Sequence, residues 1–275
     1  MTKMYLNFMR DPMSFIGVIL LTFIIFLTIF GSYIVPNDPT EVNLAQRFLP
    51  PSPDYPLGTD HFGRCVFSRI VTGAKITLGI GSVTILAVLC IGVPIGLIAG
   101  YVGGKVDAFF MRIIDGLVAL PDFILAIAIA GFLGPSLINV VLAIVLVKWV
   151  VYARTVRGIV LSEKEKEYIL AARISGCSTW TIMTKHLFPQ VFPHVLVLAT
   201  LDIGKVILFV SSLSYLGLGA QPPTPEWGAM LNDSRPYFQS IPTLMIYPGL
   251  AIMIVVLSFN LIGDGLREVL DVKKR

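Results

Sequence analysis

The chain has 275 residues, of which 55% are hydrophobic and only 14% charged, with a net charge of +4 and a mean hydropathy of +0.82. So few charges cannot cover a solvated globular surface, which leaves a bilayer-embedded helical bundle as the class. The cations lie in short loops between apolar runs, so the positive balance is no nucleic-acid signature. Three scattered cysteines (Cys65, Cys90, Cys177) and three scattered histidines (His61, His186, His194) give neither a disulfide frame nor a closed metal site.

Residues 1–13 are short and slightly basic (Lys3, Arg10), and 14–35 is an apolar run. About 20 apolar residues cover a bilayer core, so this run spans; it lacks the small-residue cleavage site of a signal peptide and reads as an anchor. The proline-rich stretch 36–75 is expected outside the cytoplasm. A transmembrane core, 76–262, follows, with spans at 76–101, 106–133, 137–156, 191–219 and 243–262. A long polar loop at 157–190 and an outer loop at 220–242 interrupt it, and a polar tail runs over 263–275.

In the polar loop, Ser162 followed by Glu165 reads as a capping box that starts a helix. Gly176 is placed to end that helix in a left-handed conformation. Ser178 or Thr179 can cap a second short helix, which is expected to stop before Pro189. Six spans put both termini on one side. Lys105, Arg112, the polar loop and the tail (Arg267, Lys273, Lys274, Arg275) lie on that side, against Arg47, Arg64, Arg69, Lys75 and Arg235 on the other. The positive-inside rule makes the first side, with both termini, cytoplasmic.

Asp115, Asp122, Asp202 and Lys205 fall within or beside spans. A charge at a span centre costs roughly 2.5–3.5 kcal/mol on insertion scales, so such groups face protein or water. Asp202 and Lys205, three apart on one helical face, can pair with each other. They are either a self-neutralising structural pair or, with Asp115, part of a solute path. Asp122 follows Pro121 and fits a helix break. Gly79, Gly81, Gly92, Gly96 and Gly100 read as a close-packing face, with Pro94 as a tolerated kink. The proline-rich outer loop presents Pro223, Glu226 and Trp227 as a stiff, exposed platform suited to docking a partner protein or serving as a lid.

No zinc-protease, nucleophile-elbow or dinucleotide motif is present, and Gly104-Lys105 is followed by Val106, so there is no P-loop. The chain itself is expected to be no enzyme, with no catalytic residue, bound metal or cofactor, and no nucleic-acid partner.

Ala171-Ala172, Gly176 and Pro189, at their spacing, resemble the coupling loop of ABC importer permeases, although Leu170, His186 and Phe188 depart from that pattern. Leu57-Gly58-Thr59-Asp60, Gly63-Arg64 and Ser68-Arg69, the outer loop from Leu216 to Gly228, and the segments 248–251 and 259–267 resemble the dipeptide, oligopeptide and nickel branch. Cys65 stands where that branch usually has Asp. Segments 198–204 and 210–215 look closest to nickel-type members; peptide-type members usually carry Glu where Val210 stands.

The resemblance implies a type I ABC importer permease fold of six transmembrane helices in a bacterial or archaeal cell membrane. It also implies a second permease subunit, an extracytoplasmic solute-binding protein, and two ATPase subunits that hold ATP and magnesium. ATPase contacts would come from Tyr168, Leu170, Ala171, Ala172, Gly176, Trp180, Met183 and Pro189. The implied cargo is a nickel or related metal complex, or alternatively a peptide. An ion-coupled carrier using Asp115, Asp202 and Lys205 is the competing class, although no inverted repeat supports it.

Overall fold

Among the residues that the computed structural model describes, 11–271, the chain is mostly helical with no strand. The helices are α1 (Pro12–Ile34), α2 (Val66–Val102), α3 (Gly104–Val118), α4 (Asp122–Leu133), α5 (Leu137–Glu163), α6 (Glu167–Ile174), α7 (Thr179–Tyr215), α8 (Trp227–Ser234) and α9 (Thr243–Asp271). Five of these are long and apolar enough to cross a membrane, and the pair α3–α4, bent by 88°, makes a sixth when taken as one span. The basic residues Lys3, Arg10, Lys273, Lys274 and Arg275 lie outside the described residues.

At the centre, α2 lies directly on α5. Trp149, Ala153, Val156 and Val160 recur at helical spacing on α5 and meet Gly92, Gly96 and Gly100 of α2. A Cβ at Gly96 would sit 2.6 Å from the Ala153 carbonyl oxygen and 2.7 Å from Val156 Cβ. Small residues bring helices together in a bilayer because dispersion and backbone proximity, not expulsion of water, drive association there. Gly81 is equally tight against Ile207 of α7, but Gly79 faces open space and takes no part in the packing face.

The anchor α1 starts with an Asp11 cap that accepts from the Ser14 amide at 2.8 Å, with Pro12 in the first turn. It rests on the far end of α9, where Gly17 meets Leu261. Its outer face, including Phe23, Ile29 and Phe30, stays exposed and apolar, as a lipid-facing helix requires.

Several boundaries differ from the sequence expectation. α2 begins at Val66, not at 76, because the polar Ser68, Arg69 and Thr77 of its first turns are buried against the outer loop. α5 runs to Glu163, so Ser162 lies inside it and forms no capping box; the next helix is capped at Lys166 without a side-chain bond. The last turn of α5 is held because Val160 packs onto Gly100. Nor does the chain stop before Pro189: α7 runs unbroken from Thr179 to Tyr215. Residues Ile182–Leu187 widen into a π-turn in which the Phe188 amide bonds the Met183 carbonyl. That widening relieves the clash between a proline ring and the carbonyl four residues earlier, and Pro189 has no N–H to lose.

The two ends of the bundle differ. One is a polar cap made of 36–65 and 216–242. The other carries a knob made of α6 and the first turns of α7. A side chain at Gly96 should break the central packing: Gly96→Val is expected to cost about 1–3 kcal/mol, read as a lower melting temperature in detergent. Gly79→Ala, pointing into open space, should leave it unchanged, and equal losses at both sites would show that α2 and α5 are not packed in this way.

Candidate translocation path and coupling knob

On the flanks of its seam with α2, α5 carries charge. Lys148 Nζ bonds Asp122 at 2.5 Å, Arg154 bonds Asp115 at 3.0 Å, and Arg157 grips both oxygens of Asp107 at 2.5 and 2.6 Å. The Tyr152 hydroxyl donates to Asp202 at 3.0 Å, and Lys205 bonds the other Asp202 oxygen at 3.1 Å. Asp202 and Lys205 therefore do pair, and Tyr152 joins them. Asp115 is not with them; it belongs to Arg154. Asp122 sits at the α3–α4 break, as its proline neighbour implies. Lys148, Arg154 and Arg157 were missed from the sequence, although three cations in one apolar run, facing the acids of the preceding span, were a readable signal.

Two of these groups form neighbouring stations. Lys148 and Tyr152 are one turn apart on α5, about 6 Å along the axis. Phe209 and Lys205 are likewise one turn apart on α7, and Lys148 lies over the Phe209 ring at 4.9 Å. At the first station the acid is the open member, Asp122 being 52% exposed and Lys148 20%. At the second the cation is open, Lys205 being 64% exposed and Asp202 16%. Lys205, Leu208 and Ser212 share one face of α7. Beside them runs a half-open groove between α7 and α9, about 350 Å³ near Phe123 and Ser212, continuing at Leu208 as about 410 Å³ toward Asn260. Among the described residues no cluster of three His, Cys, Asp or Glu side chains could hold a metal.

At the knob, Gly176 takes φ +78°, and the Cys177 and Gly176 amides close back onto Ala172 and Arg173. This is the left-handed helix ending that its position implied. Ser178 caps α7 by accepting from the Thr181 amide at 3.2 Å. Leu170, Trp180 and Tyr168 are exposed, and Ile174, which sequence reading passed over, is 89% exposed. Ala171 and Pro189 are also at the surface. Ala172 and Met183 are instead buried with Ile169, Ile182 and Leu187, and fix the knob to the bundle rather than face outward. Burial and a hydrogen bond to Glu163 raise the Tyr168 hydroxyl to about 12.

The cap overturns the docking expectation for Glu226 and Trp227, which are fully buried. Glu226 caps α8, accepting from the amides of Gly228 (2.9 Å) and Ala229 (2.8 Å), and Trp227 Nε1 donates to the Ile70 carbonyl at 3.0 Å. Burial pushes the Glu226 carboxyl up, against the pull of those two amides. The two amide bonds of the cap and the Ile70 partner of the indole supply the hydrogen bonds that burial takes from water. Pro223 alone of the three is exposed.

The Asp60, Arg64 and Arg69 motif is also internal. Arg64 Nε bonds Asp60 at 2.7 Å, both arginines approach Asp233 of α8, and Arg69 donates to the Pro39 and Pro223 carbonyls at 3.1 and 3.3 Å. The adjoining cavity holds about 10 Å³, room for one water and not for a solute. Cys65 is the N-cap of α2 and makes no capping bond there. Burial lowers the neighbouring His61 below its ordinary range.

A multi-pass helical bundle with charges pre-paired between its helices and an exposed apolar knob at one end has the build of a membrane transport subunit. Comparison with known proteins narrows this class. The family described as binding-protein-dependent transport system inner membrane component matches residues 92–275, and the N-terminal transmembrane domain of oligopeptide transport permease C matches residues 3–51. The dipeptide transport system permease protein DppC of Alkalihalophilus pseudofirmus is 42% identical over 97% of this chain and 88% of its own. The nickel transport system permease protein NikC of Escherichia coli is 42% identical over 93% of this chain and 92% of its own. The inward-facing MetNI methionine ABC transporter contains a chain of the same fold, at TM-score 0.59 and 20% identity, over 73% of this chain and 95% of that one. The chain belongs to the binding-protein-dependent ABC importer permeases, in their dipeptide and nickel branch, and it is a multi-pass membrane protein.

Because Asp202 and Lys205 neutralise each other, removing either charge should destabilise the protein more than exchanging the two. A double-mutant cycle in thermal unfolding is expected to give about 0.5–3 kcal/mol of coupling, with the swapped Asp202→Lys/Lys205→Asp chain nearer wild type than either single neutralisation. Additive losses would show that the two groups act separately.

Proposed function

We propose that this chain forms one half of the translocation path of an ATP-driven importer, beside a second permease subunit. Two ATPase subunits would sit at the knob end and an extracytoplasmic solute-binding protein at the cap end. Charge supports the orientation: Lys164, Lys166, Arg173 and Lys185 gather at the knob, and the positive-inside rule places such a short cation-rich loop in the cytoplasm. Exposed Leu170, Ile174 and Trp180 offer the ATPases an apolar face, as helix-in-groove docking needs. ATP binding and hydrolysis belong to those partners. The chain contributes docking geometry and a lined passage that reorients between the two sides of the membrane. The ion-coupled carrier is set aside because the matching family and relatives are ABC importer permeases.

The cargo we infer is a small solute with a positive and a negative group about one dipeptide apart. The observation that carries this is the two stations, with an open carboxylate at Asp122 and an open ammonium at Lys205. Two residues span at most about 7 Å, and the α5 positions that carry the two stations, Lys148 and Tyr152, are about 6 Å apart along the helix axis. A dipeptide with free ends has this shape, and so has a nickel ion held by a carboxylate-bearing chelator. Val210, which favours the nickel reading by resemblance, is fully buried and faces no solute, so its identity is no guide to the cargo.

The test is ATP-dependent uptake into vesicles carrying the whole transporter, with dialanine and nickel–histidine as alternative cargoes. The wild type should move one of them. Asp122→Asn and Lys205→Gln should each lower that uptake about tenfold, or ~1.4 kcal/mol, with the amount of chain in the membrane and binding of cargo to the receptor unchanged. Full uptake in both variants, or movement of neither cargo, would contradict the reading.

A further inference from the structure

One cation at the knob is not explained by docking. Arg173, in the last turn of α6, reaches away from the exposed Leu170–Trp180 surface and onto the end of α2. Its Nε donates to the Tyr101 hydroxyl at 3.3 Å, and its guanidinium carbon lies 5.0 Å from the Tyr101 ring centre. Tyr101 is the penultimate residue of α2, where helix carbonyls lack partners and a cation is favoured. The neighbouring Gly100 carbonyl takes a second cation, Lys164 Nζ at 3.1 Å. The two are differently placed. Lys164 directly follows α5, which is packed against α2, whereas Arg173 belongs to the knob.

What lies beyond Tyr101 gives the contact its interest. Gly103 and Gly104, at φ +70° and +56°, join α2 to the bent pair α3–α4. That pair fully buries only Ile114, Ala126 and Ala130; half-buried apolar side chains such as Met111 and Phe123 also lean on the core, and Asp107, Asp115 and Asp122 pair with α5. With fewer fully buried side chains than α2 or α5, it is the segment that moves at lowest cost. At its other end, α2 starts inside the cap, bound by Arg69 and by Trp227 at Ile70. Its 37 residues therefore connect the cap to the knob as one body of about 55 Å.

We infer that Arg173 is a positioning residue for transport: through Tyr101 it passes displacement between the knob and α2, and across Gly103–Gly104 to the bent α3–α4 segment. An exposed cation–ring contact is weak, which suits one that is made and broken in every cycle. The inference rests on the ATPase-facing reading of the knob, and the closing experiment separates the two.

The experiment uses the whole transporter in lipid nanodiscs and measures co-purification of the ATPase subunits, basal ATP hydrolysis, and stimulation of hydrolysis by the solute-binding protein. In Arg173→Ala the ATPases should stay bound and basal hydrolysis remain within about twofold, while stimulation falls about fivefold, the lower end of coupling between sites. Arg173→Lys should recover part of the loss, as should Tyr101→Phe relative to Tyr101→Ala. The double variant Arg173→Ala/Tyr101→Ala should be no worse than either single alanine change. Full stimulation in Arg173→Ala, or losses that multiply in the double variant, would overturn the inference. So would loss of the ATPases in Arg173→Ala, since Arg173 would then be a docking residue. A wild-type chain that binds no ATPase at all would instead bring down the proposed function.

Discussion

A carboxylate within a span is tolerable only where a cation or hydrogen-bond donors replace the water it has lost, and that requirement arranges this bundle around α5. Lys148, Tyr152, Arg154 and Arg157 each take an oxygen of an acid on α3, α4 or α7. The same helix meets the glycines of α2 at backbone distance, with Tyr152 itself packed on Gly92. That seam of α5 is thus fixed by contacts that tolerate no added atom. On its flanks Lys148, Arg154 and Arg157 are held by ion pairs that stay partly exposed, and such pairs are weakly held.

The ends follow from the same division. At the cap, Arg64, Arg69 and Asp60 sit almost out of water and, through Asp233, join two stretches far apart in sequence. Breaking such a buried network by removing one member leaves an unpaired charge and costs several times what an exposed pair does. At the knob, apolar side chains are divided between those turned inward (Ile169, Ile182, Leu187) and those left open (Leu170, Ile174, Trp180). A rigid cap, a welded α2–α5 pair and a lightly held α3–α4 segment give the permease a frame and a part that can move against it.

Much of this was legible in the sequence. Apolar runs of membrane length, the cation bias of the loops, the Gly176 ending and the Asp202–Lys205 spacing need only local rules. What failed was decided by tertiary contact. Ser162–Glu165 satisfies a capping pattern, yet Val160 on Gly100 keeps the helix running past it. Pro189 should end a helix, yet a π-turn lets α7 pass. Glu226 and Trp227 have the look of a surface loop, but the amides of Gly228 and Ala229 and the Ile70 carbonyl draw them inside. Gly79 matched the glycine pattern and points into open space, because spacing along one helix does not say which face another helix covers.

The central claim is that the face formed by α4, α5 and α7, where the charge pairs meet, borders water and not lipid. The most direct measurement is labelling of single cysteines by a membrane-impermeant thiol reagent, with Cys65, Cys90 and Cys177 replaced. Leu208→Cys and Ser212→Cys, beside Lys205 and Phe123, should react and be protected when cargo is present, whereas Phe23→Cys and Phe26→Cys, mid-way along the exposed apolar face of α1, should stay unlabelled. Reaction at Phe23 and Phe26 with none at Leu208 and Ser212 would place the water on the other side of the bundle and contradict the account.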